Sequence, residues 1–162
     1  YLLPLRDGGL IQPITREAVE YVCLNMREDD AREVYGLRGH TNPFLLAREA
    51  IAAASLGKAS VACWRGIPAA VIGVSPNWPG VWEAWAWGTD DFQRVALSLT
   101  RYALTVLKPY VLDHGAHRLQ CASRIDHRTA HSWLRAMGAR DEGVLRGYGR
   151  DGASYVQFSW VR

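Results

Sequence analysis

Few residues in this sequence stand at spacings that do chemistry, and the first pair to test is His127 and His131. Four apart on a helix, they share a face as in the zinc motif H-E-x-x-H, but the chain reads H-R-T-A-H, with Arg128 in place of the general-base glutamate. No metal site is expected. Ser123 and Ser132 lack the G-x-S-x-G turn of a hydrolase nucleophile, and no G-x-x-x-x-G-K-[ST] loop is present to cradle phosphates. The remaining candidate is Glu83, the carboxylate within the apolar run Val81 to Trp87. It fits either a general base or a plain rim carboxylate.

Trp78, Trp82, Trp85 and Trp87 crowd the same stretch. On a strand, Trp85 and Trp87 fall on the face of Glu83 while Trp82 points the other way, so both faces carry large rings. Core packing accounts for some of them, and a protein contact surface for the rest, because tryptophan is favoured among residues that dominate interfaces. Trp78, in the loop Pro76 to Gly80, is the first choice for touching another chain. Nucleic-acid stacking is not favoured, because the strand lacks Lys or Arg to hold a backbone.

These residues need a scaffold, and the periodicity supplies one. Gly8-Gly9 is a turn and Leu10 to Gln12 a candidate first strand. Thr15 caps a helix whose Val19, Val22, Cys23 and Met26 share one face. Arg27 to Tyr35 continues as a second helical piece ended by Gly36, and Asn42-Pro43 gives the N-cap and first-turn proline of a helix reaching Gly57. Ala59 to Arg65 and Ile67 to Ser75 form a hairpin about Gly66, with Val81 to Trp87 as the next strand. A helix over Asp90 to Lys108 follows, which Pro109 is expected to end.

In the last third, Leu119 to Ala122 reads as a buried strand, and His127 to Met137 as a helix placing Ala130, Trp133, Leu134 and Met137 on one face. Two strands, Ala139 to Tyr148 and Ala153 to Val161, flank the turn dipeptide Asp151-Gly152. The pair Met137-Gly138 and the run Glu142-Gly143-Val144-Leu145-Arg146 resemble the GCN5-related N-acetyltransferases (GNAT fold), closest to the branch that acetylates protein N-termini. The resemblance implies an α/β (α+β) class: a GNAT-like mixed six- or seven-stranded splayed sheet with helices on both faces. Residues 1–162 would form a single GNAT-like domain.

The same resemblance implies that acetyl-CoA phosphates dock on an R-x-x-G-x-G/A loop before the long helix. Here that stretch is Trp87-Gly88-Thr89-Asp90-Asp91-Phe92-Gln93-Arg94, with one glycine and two carboxylates whose charge opposes phosphate. The family's tyrosine acid falls on Leu134, which carries no proton, and its asparagine on His127. Over about Trp64 to Phe158 the chain is thus similar to a degenerate, GNAT-like internal virion or morphogenesis protein of short-tailed phages. That implies a protein with no cofactor, acting through contacts with other virion or assembly proteins, in the virion or host cytoplasm. The alternative is an active acetyl-CoA-dependent N-acetyltransferase of protein or small amines. In that case Glu83 and His127 would be catalytic, and Gly88, Thr89 and Gln93 would bind the cofactor.

Composition narrows the class without choosing between these. At 162 residues and 49% hydrophobic content the chain suits one domain, burying roughly 70% of its unfolded surface. The longest apolar stretch, Ala50 to Leu56, is far short of the ~20 residues that span a bilayer, so a soluble protein is expected. Cys23, Cys63 and Cys121 cannot all pair and show no C-x-x-C spacing, which suits a reducing compartment. Net charge is +3, and residues 118–162 hold eight Arg against four acids. A solvated face explains that excess; nucleic acid is not favoured.

Overall fold

The computed structural model describes residues 8–162. Its strands are β1 (Gly9–Pro13), β2 (Lys58–Trp64), β3 (Ile67–Trp78), β4 (Val81–Gly88), β5 (Arg118–Arg124), β6 (Arg140–Leu145) and β7 (Tyr155–Val161). They form one sheet in the order β1-β2-β3-β4-β5-β7-β6, antiparallel everywhere except between β4 and β5. One face carries α1 (Arg16–Leu24), α2 (Glu28–Gly36) and α3 (Pro43–Leu56); the other carries α4 (Phe92–Tyr102), α5 (Lys108–Asp113) and α6 (Arg128–Ala136). This is the mixed α/β sheet with helices on both faces that the resemblance implies, with seven strands.

Alternation along the strands sorts the core into two layers. Val61 and Val71 pack against Val19, Val22 and Leu46 beneath α1 and α3, whereas Ile72, Val74 and Trp82 meet Phe92, Val95 and Leu99 of α4. Beneath α6, Leu134 packs on Val156 and Phe158. Local chemistry sets the helix starts. Thr15 accepts from the Ala18 N–H, and Asn42 from those of Phe44 and Leu45.

Three boundaries differ from the sequence expectation. Strand β3 runs on through Pro76 to Trp78, leaving only Pro79-Gly80 as the turn; a register slip between Pro76 and Trp78 accommodates the proline's missing N–H. Pro109 does not end the long helix. A π turn over Ala103–Leu107 widens the chain just before it, relieving the clash a proline ring makes with the carbonyl four residues back, and α5 continues to Asp113. Asp151-Gly152 is not a two-residue hairpin turn either. It lies in a longer connection that docks on α2, with Arg150 N–H bound to the Gly36 carbonyl and Tyr155 Oη to that of Glu33.

The feature that matters for function is where β4 and β5 meet. Their pairing runs only from Val81–Arg118 to Glu83–Gln120; beyond it the two strands part. Leu99, fully buried beneath this point, anchors α4 to the sheet. Leu99→Ala is expected to lower the unfolding free energy by about 2–5 kcal/mol, read from urea denaturation with an unchanged slope.

Candidate active site

The gap between β4 and β5 opens into a cavity of about 1080 Å³ that reaches both faces of the sheet. On the α1 to α3 side its wall includes Trp85, Trp87, Arg38 and Glu49; on the α4 side it includes Leu104, Leu107 and Trp133. Ala84, Ala86 and Ala122 flank the gap, so no bulky side chain closes it. Gly88 directs its N–H to Asp30 and its carbonyl to the Arg27 N–H, away from β3. The β3/β4 register is regular back from Gly88, so strand alternation turns the N–H and C=O of Ala86 towards the gap as well. The π turn of the long helix contributes Ala103, Leu104 and Leu107 to the same wall.

Glu83 sits where the strands part. Its carboxylate accepts from Asn77 Nδ2 at 2.8 Å and Gln120 Nε2 at 3.3 Å. Burial pushes its pKa above the ordinary glutamate value, and these amide donors and the Arg118 charge offset that only in part. A carboxyl raised in this way, with neutral partners on a cavity wall, is suited to taking up a proton.

At the far end of β4 lies a buried polar bolt. Asp30, 2% exposed, accepts from the Gly88 N–H (2.8 Å) and from His127 Nε2 (2.7 Å). Arg27 Nε stands 2.9 Å from the same carboxylate but out of line for a hydrogen bond, so that contact is one of charge. The Arg27 guanidinium also stacks 4.1 Å over Phe92. Burial opposes charge on His127, but the Asp30 hydrogen bond and the nearby Glu33 and Asp30 charges outweigh it and raise its pKa. Glu33, one turn further along α2, accepts from Ser123 Oγ and from the Arg124 N–H at 2.7 Å, and burial raises its pKa too.

The other expected residues fall as follows. Glu83 lines the cavity, but His127 is 3% exposed and stands behind it in the bolt, so its contact is with Asp30 rather than with the cavity. Gly88 closes β4 where an added Cβ would lie 2.6 Å from both the Ala69 carbonyl oxygen and Phe92 Cδ2, which explains a glycine there by packing. Thr89 is buried and its Oγ1 accepts from the Asp91 N–H. Gln93 lines a smaller crevice of about 310 Å³ with Arg27, Thr129 and Ser132. Asp91, expected to repel phosphate, is paired with Arg94 at 3.2 Å. Trp82 and Trp87 are core residues at 6% and 3% exposure and Trp85 is partly buried. Trp78, 59% exposed, is therefore the ring left for an outside contact.

Among the described residues no three His, Cys, Asp or Glu are grouped to hold a metal, and no helix is long and apolar enough to cross a membrane. His131 is a buried structural histidine, its Nε2 on the Arg124 carbonyl. The four acids of the C-terminal third all lie against its arginines: Arg118–Glu142, Arg124–Asp126, Arg124–Asp151 and Arg135–Asp141. Sequence reasoning missed Asp30 and Glu33. Asp30 stands in the first turn of α2 and Glu33 one turn on, and nothing local marks their partners on β4, β5 and the start of α6.

No family model matches the chain, and neither does any curated protein sequence. Solved structures do match in fold. Ribosomal-protein-alanine N-acetyltransferase from Brucella melitensis superposes with a TM-score of 0.74 at 12% identity, over 94% of this chain and 99% of that one. The yncA protein of Salmonella typhimurium, solved with its cofactor acetyl-CoA, gives 0.73 at 10% identity, over 95% and 94%. A GNAT-family acetyltransferase from Streptococcus pneumoniae gives 0.64 at 12%, over 94% and 98%. The chain therefore has the GNAT fold.

The bolt makes a prediction. A histidine with a raised folded pKa stabilises fully below its unfolded value of ~6.5 and loses that contribution as pH rises through the folded value. Wild-type stability should therefore decline across that window in urea titrations at stepped pH. His127→Ala should remove the decline and cost about 3 kcal/mol at pH 6, by stripping a buried carboxylate of a partner.

Proposed function

We propose that this protein is an acetyltransferase that moves an acetyl group from acetyl-CoA to an amine. The observation that carries the reading is the cavity crossing the sheet at the β4/β5 gap with Glu83 in its wall. Two reactants can meet there from opposite faces, and a carboxyl of raised pKa stands on the wall to receive the amine proton. The solved acetyltransferases that share the fold, one of them holding acetyl-CoA, support this over the phage-assembly reading.

The chain's own groups fit a thioester arm. The gap between Ala86 and Ala122 is free of bulky side chains, and the Ala86 N–H points into it to meet a carbonyl oxygen. The crevice beside the α4 N-terminus offers Arg27, Gln93, Thr129 and Ser132 near the place of the missing glycines, and Arg94 offsets the Asp91 charge. Acetyl-CoA, when bound, supplies an acetyl group activated as a thioester. Glu83 would take the proton of the attacking amine as the new C–N bond forms and the C–S bond breaks, the sulfur leaving as a thiolate that takes its proton from water. Leu134 is buried against Val156 and Phe158, so α6 offers no proton donor at the position of the family's tyrosine.

Calorimetric titration with acetyl-CoA tests the reading; absence of binding at millimolar ligand would sink it and leave the phage contact protein, with the exposed Trp78 as its contact ring, as the standing alternative. Under the acetyltransferase reading, kcat/KM should rise with pH through a value above the ordinary ~4.3 of glutamate, because only the ionised carboxylate accepts a proton. Glu83→Gln should lower kcat by about 10²- to 10⁴-fold and abolish that acidic limb, as followed by release of free thiol.

A further inference from the structure

Glu83, Trp85 and Trp87 alternate onto one face of β4 and all line the cavity on the side of α1 to α3. Trp85, partly buried, is the wall, and Trp87, 3% exposed, packs behind it in the core, with centroids 5.3 Å apart and planes inclined by 30°. Gly73, the β3 partner of Trp85, makes that wall flat: a Cβ there would lie 2.4 Å from the Trp85 ring, so only a glycine lets the indole lie down across the sheet. Opposite Trp85, α3 presents the partly exposed Ala53, which leaves a slot, whereas Ala50 is buried in the core that holds Trp87. Trp85 Nε1 is buried with no hydrogen-bond partner.

Charge at the two ends of this slot is unequal. At the near end Glu83 has only amide donors within hydrogen-bond reach. At the far end Arg38 is already bound to Glu49 at 2.6 Å and to the Val34 carbonyl, and His40 meets the same Glu49 at 2.6 Å. Among the described residues, the cation and the carboxylate at that end are thus already paired with each other. From Glu83 to Trp85 the strand spans ~7 Å, enough for an amine, a short linker and one ring.

We infer that the acceptor is a primary amine carrying a flat aromatic body, seated between Trp85 and α3 with its nitrogen at Glu83. This rests on the acetyltransferase reading and names its acceptor class. Offset ring contact with the Trp85 indole favours a planar apolar body over an extended polar one. The slot determines specificity through shape and desolvation, while Glu83 fixes which end of the molecule reaches the gap.

Binding of the amine can be measured without acetyl-CoA, by titrating phenethylamine and following indole emission and heat. Saturable binding is expected, at least tenfold tighter than propylamine, spermidine or glutamate. Trp85→Ala should weaken phenethylamine at least tenfold, and Trp85→Phe should restore most of the loss. Ala53→Phe, on a partly exposed helix position, should block the slot with circular dichroism unchanged, which keeps the test open should the Trp85 variants misfold. Equal binding of propylamine or spermidine, or phenethylamine binding insensitive to Ala53→Phe, would overturn the inference. Acetyl-CoA titrated separately into the wild type distinguishes the two claims: acetyl-CoA binding without amine selectivity removes the acceptor class and leaves acetyl transfer standing.

Discussion

The parting of β4 from β5 after three paired residues is the constraint on which the rest depends. A parallel pair that separates inside a protein leaves backbone N–H and C=O groups facing no strand, and each buried one must find another partner. At Gly88 the chain supplies those partners itself: Asp30 takes the N–H, the Arg27 N–H takes the carbonyl, and Met26 bridges Thr89. Nearer the apex, at Ala86, no loop or side chain among the described residues takes that part. The link between α1 and α2 thus closes the wide end of the gap and leaves the narrow end open.

That arrangement also explains why three titratable groups are displaced together. Glu83 and Glu33 line the cavity and His127 lies behind it in the bolt, and their partners differ. Glu33 is bound by Ser123 and the Arg124 backbone, and His127 by Asp30, so both act as fastenings between α2, β5 and the start of α6. Glu83 has amide donors alone, which orient the carboxylate without tying it to a cation within hydrogen-bond reach. Connectivity rather than burial therefore separates the two fastened groups from Glu83.

Packing on the two sides of β4 follows from the same strand. Its even-numbered residues include Trp82, which buries its ring edge-on to Tyr110 on the α4 side, and the small Ala84 and Ala86 beside the gap. The odd-numbered ones put Glu83, Trp85 and Trp87 on the other face. A single run of eight residues thus builds part of a core, one edge of a gap and one wall of a slot. The π turn at Ala103–Leu107 adjusts the opposite wall, and Pro109 is tolerated because of it.

What the sequence by itself determined is local. Thr15 and Asn42 cap their helices through neighbours two or three residues on, and the period of apolar residues placed the strands, the long helix and α6 within a few residues of where they lie. The chain's GNAT order and the prominence of Glu83 and the tryptophans were legible for the same reason. Tertiary structure alone decided the rest. Asp30 and His127 are 97 residues apart and Ser123 and Glu33 are 90 apart, so no local pattern marks them as partners. Whether Trp85 lines a slot or fills a core depends on Gly73 across β3 and Ala53 on α3, and whether β4 and β5 separate depends on what α2 inserts between them. Spacing along a chain records one element's own faces; which faces meet, and which are kept from water, is set only when distant elements pack.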